Sequence, residues 1–125
     1  MLLVCSCVES ERETVISGKV LDEVTGTYLN EVCVVLYGLI DHGPFKGGEV
    51  IEKYALDVDE KGNFSSRIIH KEIDVFVLNV IAIQDGLCIY DNENEISFER
   101  YCSPDNCNNI VSGKKHTLEV KVIGS

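Results

Sequence analysis

Tryptophan is absent from this chain of 125 residues, methionine occurs once, and proline occurs twice. No low-complexity tract and no Pro- or Ser-rich linker interrupts it, so the length reads as one domain. No apolar run approaches the ~18 residues of a membrane-spanning helix. Basic residues are few: Lys+Arg is 11 against an Asp+Glu of 21, a formal net charge of −10. A surface that acidic repels phosphate backbones and anionic lipid headgroups, which argues against nucleic acid as a partner. Helical periodicity is missing too. The apolar residues fall instead in short β-branched runs, the signature of strands.

Those runs lie between turn signals. Residues 14–21 read as a first strand, with Gly18 marking a bulge or a close backbone approach. Asp22 to Gly26 is a turn in which Asp and Thr side chains hydrogen-bond their own backbone. The continuously apolar Val32-Cys-Val-Val-Leu36 predicts a central strand covered on both faces, within a strand over 30–37. A loop over 38–48 follows, then a strand over 49–58. Asp59-Glu-Lys-Gly-Asn63 predicts a hairpin turn with Gly62 left-handed, and 64–69 returns antiparallel. Residues 74–84 are the most hydrophobic stretch and predict a core strand. A turn at Asp85-Gly86, a short strand over 87–90, an edge strand over 96–101, a polar loop over 102–109 and a last strand over 116–123 complete the reading. Seven or eight short strands without a helix predict an all-β, Greek-key β-sandwich of immunoglobulin-like or transthyretin-like kind.

Gly18-Lys-Val-Leu-Asp-Glu-Val-Thr-Gly26 with Leu29, Val32-Cys-Val-Val35, Asp59-Glu-Lys-Gly-Asn-Phe64 and Leu118-Glu-Val-Lys-Val122 together resemble the carboxypeptidase regulatory-like family. The resemblance implies a transthyretin-like sandwich used as an accessory or binding module in exported bacterial proteins. It transfers no catalytic residue and no cofactor, so the chain reads as a non-enzyme. The N-terminus adds a second resemblance. Val4-Cys-Ser-Cys7 resembles a bacterial lipobox, and the switch to Glu9-Ser-Glu-Arg-Glu13 is abrupt. That implies a signal remnant and tether over 1–13, lipidation at Cys7, and a sandwich over 14–125. Such lipoproteins resemble those of Bacteroidetes. The expected location is the outer membrane or cell surface by lipid anchor, or otherwise the periplasm or exterior. The expected role is binding, adhesion or assembly with an envelope protein or glycan. A pilus or polysaccharide-uptake subunit, or a small transthyretin-like hydrolase, is the alternative.

Of six cysteines, four remain beyond the lipobox, and four allow three pairings. Cys102 and Cys107 lie close enough in sequence for a local bridge, which leaves Cys33 with Cys88 to join two strands. A buried free thiol at Cys33 is the alternative. A zinc site from Cys102, Cys107 and His116 lacks a second paired motif. A catalytic role for His42, His70 and His116 needs them to converge in the fold. The acidic stretch at Asp57 places Lys61 and Ile68 where calcium requires oxygen ligands, so a turn explains it better. Candidate contact residues are Phe45 and Lys46 in the glycine-rich loop and Asp91, Glu93 and Glu95 in the acidic loop. The loop over 102–109 is a third contact candidate.

Overall fold

A computed structural model describes residues 11–41, 48–90 and 97–123. Its strands are β1 (Arg12–Asp22), β2 (Val32–Asp41), β3 (Gly48–Asp57), β4 (Asn63–His70), β5 (Val75–Gln84), β6 (Leu87–Cys88), β7 (Glu99–Ser103), β8 (Ile110–Val111) and β9 (Lys115–Ile123). They form a four-stranded sheet in the order β4-β1-β9-β7 and a five-stranded sheet in the order β3-β2-β5-β6, with β8 also on β5. The fold is an all-β sandwich of immunoglobulin-like kind. β1 and β9 run parallel; the other neighbours are antiparallel.

Alternation builds the interior. β9 buries His116, Leu118, Val120 and Val122 and exposes the residues between or leaves them part-covered. β1 contributes Ile16 and Val20, β4 contributes Phe64 and Ile68, and β5 contributes Phe76, Leu78 and Val80 to the same core. β2 sits between β3 and β5, and its residues 32–37 are buried on both faces. A second apolar cluster therefore lies on the outer face of that sheet, around Cys33, Val35, Tyr37 and Ile81. Lys53 covers the Tyr37 ring from β3 at 5.6 Å.

The Cys33–Cys88 disulfide explains part of that burial. Its partners lie on β2 and β6, two strand spacings apart through β5. A flat sheet would separate them by about 10 Å. Their Cα atoms are 5.9 Å apart, so the β5–β6 hairpin curls over the outer face. The curl starts at Asp85 and Gly86, both at positive φ (51° and 75°), the geometry of a tight hairpin turn.

The structure corrects several boundaries. The described residues form nine strands, because the pair Ile110–Val111 forms a short rung on β5 that no alternation announces. β1 starts at Arg12, β2 continues to Asp41, and β7 runs through Cys102 into the stretch read as loop. The Asp59–Asn63 turn has the expected chemistry. The Asp59 carboxylate accepts from the backbone amides of Asn63 and Lys61 (both 2.9 Å), and Gly62 has φ 78°. The hydrogen bond from Asn63 is the main cause holding the Asp59 pKa below its ordinary value. Yet β3 and β4 do not pair as a hairpin; they lie in different sheets. The Val20 amide donates to the Gly62 carbonyl (2.8 Å), tying the turn to β1 and carrying the chain from one layer to the other.

Gly18 pairs with Leu118 across the parallel β1–β9 ladder. A Cβ there would run into the Leu118 carbonyl and meet the Phe64 ring at 3.1 Å. Backbone cannot step aside as a side-chain end can. Gly18→Ala is expected to destabilise the fold by about 1–3 kcal/mol, the usual range for overpacking. Urea unfolding of the two proteins checks it, and an unchanged midpoint would refute the close approach.

Candidate functional site

The cysteine-closed loop between β7 and β8 is the most elaborated end of the sandwich. Cys102 ends on β7, Cys107 is buried in the core, and a disulfide joins them with Cα atoms 5.1 Å apart. Ser103-Pro104 is a cis peptide. The two bridges correspond to one of the three pairings open to the sequence. All four cysteines are thereby committed to sulfur, so none is available as a zinc ligand or thiol nucleophile.

Arg100 is the candidate site residue that sequence reasoning missed. It points inward from β7 and reaches the other sheet, where its Nε donates to the Leu78 carbonyl of β5 at 2.9 Å. Its Nη2 donates to Asn108 Oδ1 at 2.7 Å. These two bonds fix the guanidinium plane. The group is half-buried, and desolvation pushes its pKa below the ordinary arginine value. Both partners are neutral, and no described carboxylate neutralises it. The one available signal was a single arginine between two outward residues, Glu99 and Tyr101, at a position whose alternation faces the core.

A polar cavity of about 460 Å³ opens beside it, lined by Arg100, Tyr101, Asn106 and Asn108 around the disulfide and Pro104. Asn106 Oδ1 accepts the Asn108 amide at 2.8 Å. The Asn106 carbonyl accepts the Asn109 amide at 3.0 Å, and the Cys107 carbonyl accepts the Leu78 amide at 2.8 Å. The Tyr101 hydroxyl bonds Glu23, which raises its pKa. Asp105, the acid of this loop, turns away to His116 Nδ1 at 2.7 Å, while His116 Nε2 meets the Val111 carbonyl at 2.7 Å. That buried histidine is a brace between β9, the loop and β8.

A second, shallower groove of about 520 Å³ crosses the outer face of the β1 sheet past Ser17, Phe64, Pro104 and Thr117. Of the histidines in the sequence reading, the two described, His70 and His116, are not brought together. His70 pairs with Arg12 on one side of β1, and its Nδ1 accepts the Glu72 amide at 2.9 Å. His116 pairs with Ile16 on the other side. His42, Cys7, Phe45, Lys46, Asp91, Glu93 and Glu95 lie outside the described residues.

The chain matches no family model, no curated protein and no solved structure.

Two substitutions test the loop. Arg100→Met leaves the Leu78 carbonyl without its charged donor and is expected to cost about 1–3 kcal/mol of stability in urea unfolding. An unaltered midpoint would show that water replaces the guanidinium at no cost. Loop-closure entropy further ranks the bridges, whose sequence separations are 55 and 5. Replacing Cys33 and Cys88 by alanine is expected to cost about 4 kcal/mol, and replacing Cys102 and Cys107 about 2 kcal/mol. The reverse order in calorimetry would show that the small loop does more than close.

Proposed function

We propose that this chain is an exported, non-enzymatic β-sandwich lipoprotein that acts as a binding module at the cell envelope, with the Cys102–Cys107 end as its contact surface. The observation that carries the reading is the pairing of two disulfides with a polar cavity built against one of them. Disulfides persist in oxidising compartments and are rare in the cytosol. A recognition surface needs side chains held in place, and a cross-linked loop on a sandwich supplies that.

The resemblance of the turn and strand motifs to carboxypeptidase regulatory-like domains supports an accessory role over a catalytic one. The sandwich architecture agrees with it at the level of fold, and fold alone assigns no activity. The histidines also support it, because His116 has both ring nitrogens engaged and His70 caps a turn. On this reading the anchor is a lipid on Cys7, followed by the short polar tether up to β1.

Intact-mass spectrometry of the protein from its native membrane fraction tests the proposal. The expected mass is that of a chain starting at an acylated Cys7, rising by the mass of about four hydrogens on reduction of two bridges. An unprocessed, fully reduced chain in the soluble fraction would overturn it.

A further inference from the structure

The cavity at Arg100 is rich in hydrogen-bond donors. Arg100 can only donate, so the Asn108 atom facing it is the amide oxygen, and the Asn108 nitrogen is turned elsewhere. The Asn108 backbone amide likewise fixes the oxygen of Asn106. Both side-chain oxygens are thus engaged within the loop. The lining residues retain unpartnered donors among the described residues, Nη1 and the second Nη2 proton of Arg100 and the Nδ2 groups of Asn106 and Asn108, beside one remaining lone pair on each amide oxygen. The carboxylate that could have neutralised them, Asp105, is held by His116 and does not line the cavity. Tyr101 faces outward on β7, 46% exposed, with its hydroxyl bonded to Glu23, and so leaves these donors free of its ring.

From this set we infer that the cavity binds a uronic acid, the carboxylate-bearing form of a hexose. The guanidinium takes the carboxylate, since that pair is the strongest interaction an arginine fork makes. The two carboxamide nitrogens donate to ring hydroxyls. The cavity's 460 Å³ accommodates a unit of that size and lies within the range of small-ligand sites. The formal charge of −10 disfavours extended polyanions more than a single carboxylate, because charges beyond about 8 Å are screened in physiological salt and one small anion meets only nearby acids. The inference rests on the binding-module reading and gives its contact surface a ligand class.

The test is an ¹H–¹⁵N NMR titration of the oxidised, full chain, following the Arg100 Nε–H and the Asn106 and Asn108 side-chain amides. D-galacturonate is expected to shift these signals with a Kd of about 1 mM or tighter. Its neutral methyl ester is expected to bind about tenfold more weakly. Asn106→Ala, at an exposed position, is expected to weaken binding about fivefold, the value of one hydrogen bond, and Asn108→Ala, which also releases the Arg100 guanidinium, by more than that. Absent shifts at the three groups would overturn the site. Equal shifts with the methyl ester would overturn carboxylate recognition. Equal shifts with acetate or sulfate would overturn the assignment to a sugar acid. None of these failures touches the membrane-fraction mass result, so the module reading and its ligand fail separately.

Discussion

The structure depends on how one strand edge is closed. β5 is the most apolar strand, and one of its sides is paired to β2 along Val75–Ala82. Its other side would present bare amides and carbonyls on a hydrophobic strand, a template for aggregation. The chain closes that side piecewise. β8 pairs at Val75 and Phe76, and Cys107 takes the Leu78 amide. Arg100 supplies the Leu78 carbonyl, the Phe98 amide takes the Val80 carbonyl, and β6 completes Ile83 and Gln84. No regular strand could do this, because β7 belongs to the opposite sheet. The side chain of Arg100 and an irregular loop do it instead, and the cavity is a by-product of that irregularity.

The same solution sets where the cross-links fall. A loop that must offer Cys107 to Leu78 on one side and Asp105 to His116 on the other has few conformations open to it. Cys102 on β7 pins its start and Ile110 in the core pins its end. The second bridge acts at the far end of β5, where only two residues of β6 cover the strand. There a curled hairpin is held down onto Cys33, which closes the outer apolar cluster. Both disulfides thus reinforce the two ends of one edge.

Much of the fold was legible because local signals and global placement agree. The unbroken apolar run of β2 required two covered faces and has them. The Asp22 and Asp59 turns fold as their side chains demand: Asp22 accepts the amides of Val24 and Thr25 as Asp59 accepts those of Lys61 and Asn63. Gly18 marked a close approach, and the carbonyl of Leu118 is what approaches. What failed was non-local. The Asp59 turn has the same chemistry whether it joins paired strands or crosses between layers, and only the competing partners β1 and β2 decide that. The site was illegible for a related reason. Arg100 acts through Leu78, which lies 22 residues away in sequence, and an arginine in a strand otherwise reads as solvated.

Arg100 also bears on why the proposed contact surface lies at this end of the molecule and not on the grooved outer sheet. In a chain with nearly twice as many acids as bases, a cation has many neutralising partners to choose from. Among the described residues Arg12 takes Asp74 and Arg67 takes Glu13, both at the surface where such pairs contribute little. Arg100, the more buried cation, takes a backbone carbonyl and an amide oxygen. Desolvating a guanidinium without a counter-charge among the described residues is unfavourable, and burial pushes its pKa below the ordinary arginine value. An anion entering the cavity would relieve that penalty, and the protein already bears the cost of orienting the fork. Preorganised donors of this kind favour ligands that bring the missing acceptor, because little further ordering is needed on binding. The outer groove past Ser17 and Thr117 has no comparable uncompensated charge, and its Lys19 already sits over the Tyr28 ring at 5.3 Å. On the proposed reading, selectivity for an anion belongs at the edge of β5, where closing the sheet left a cation without its opposite among the described residues.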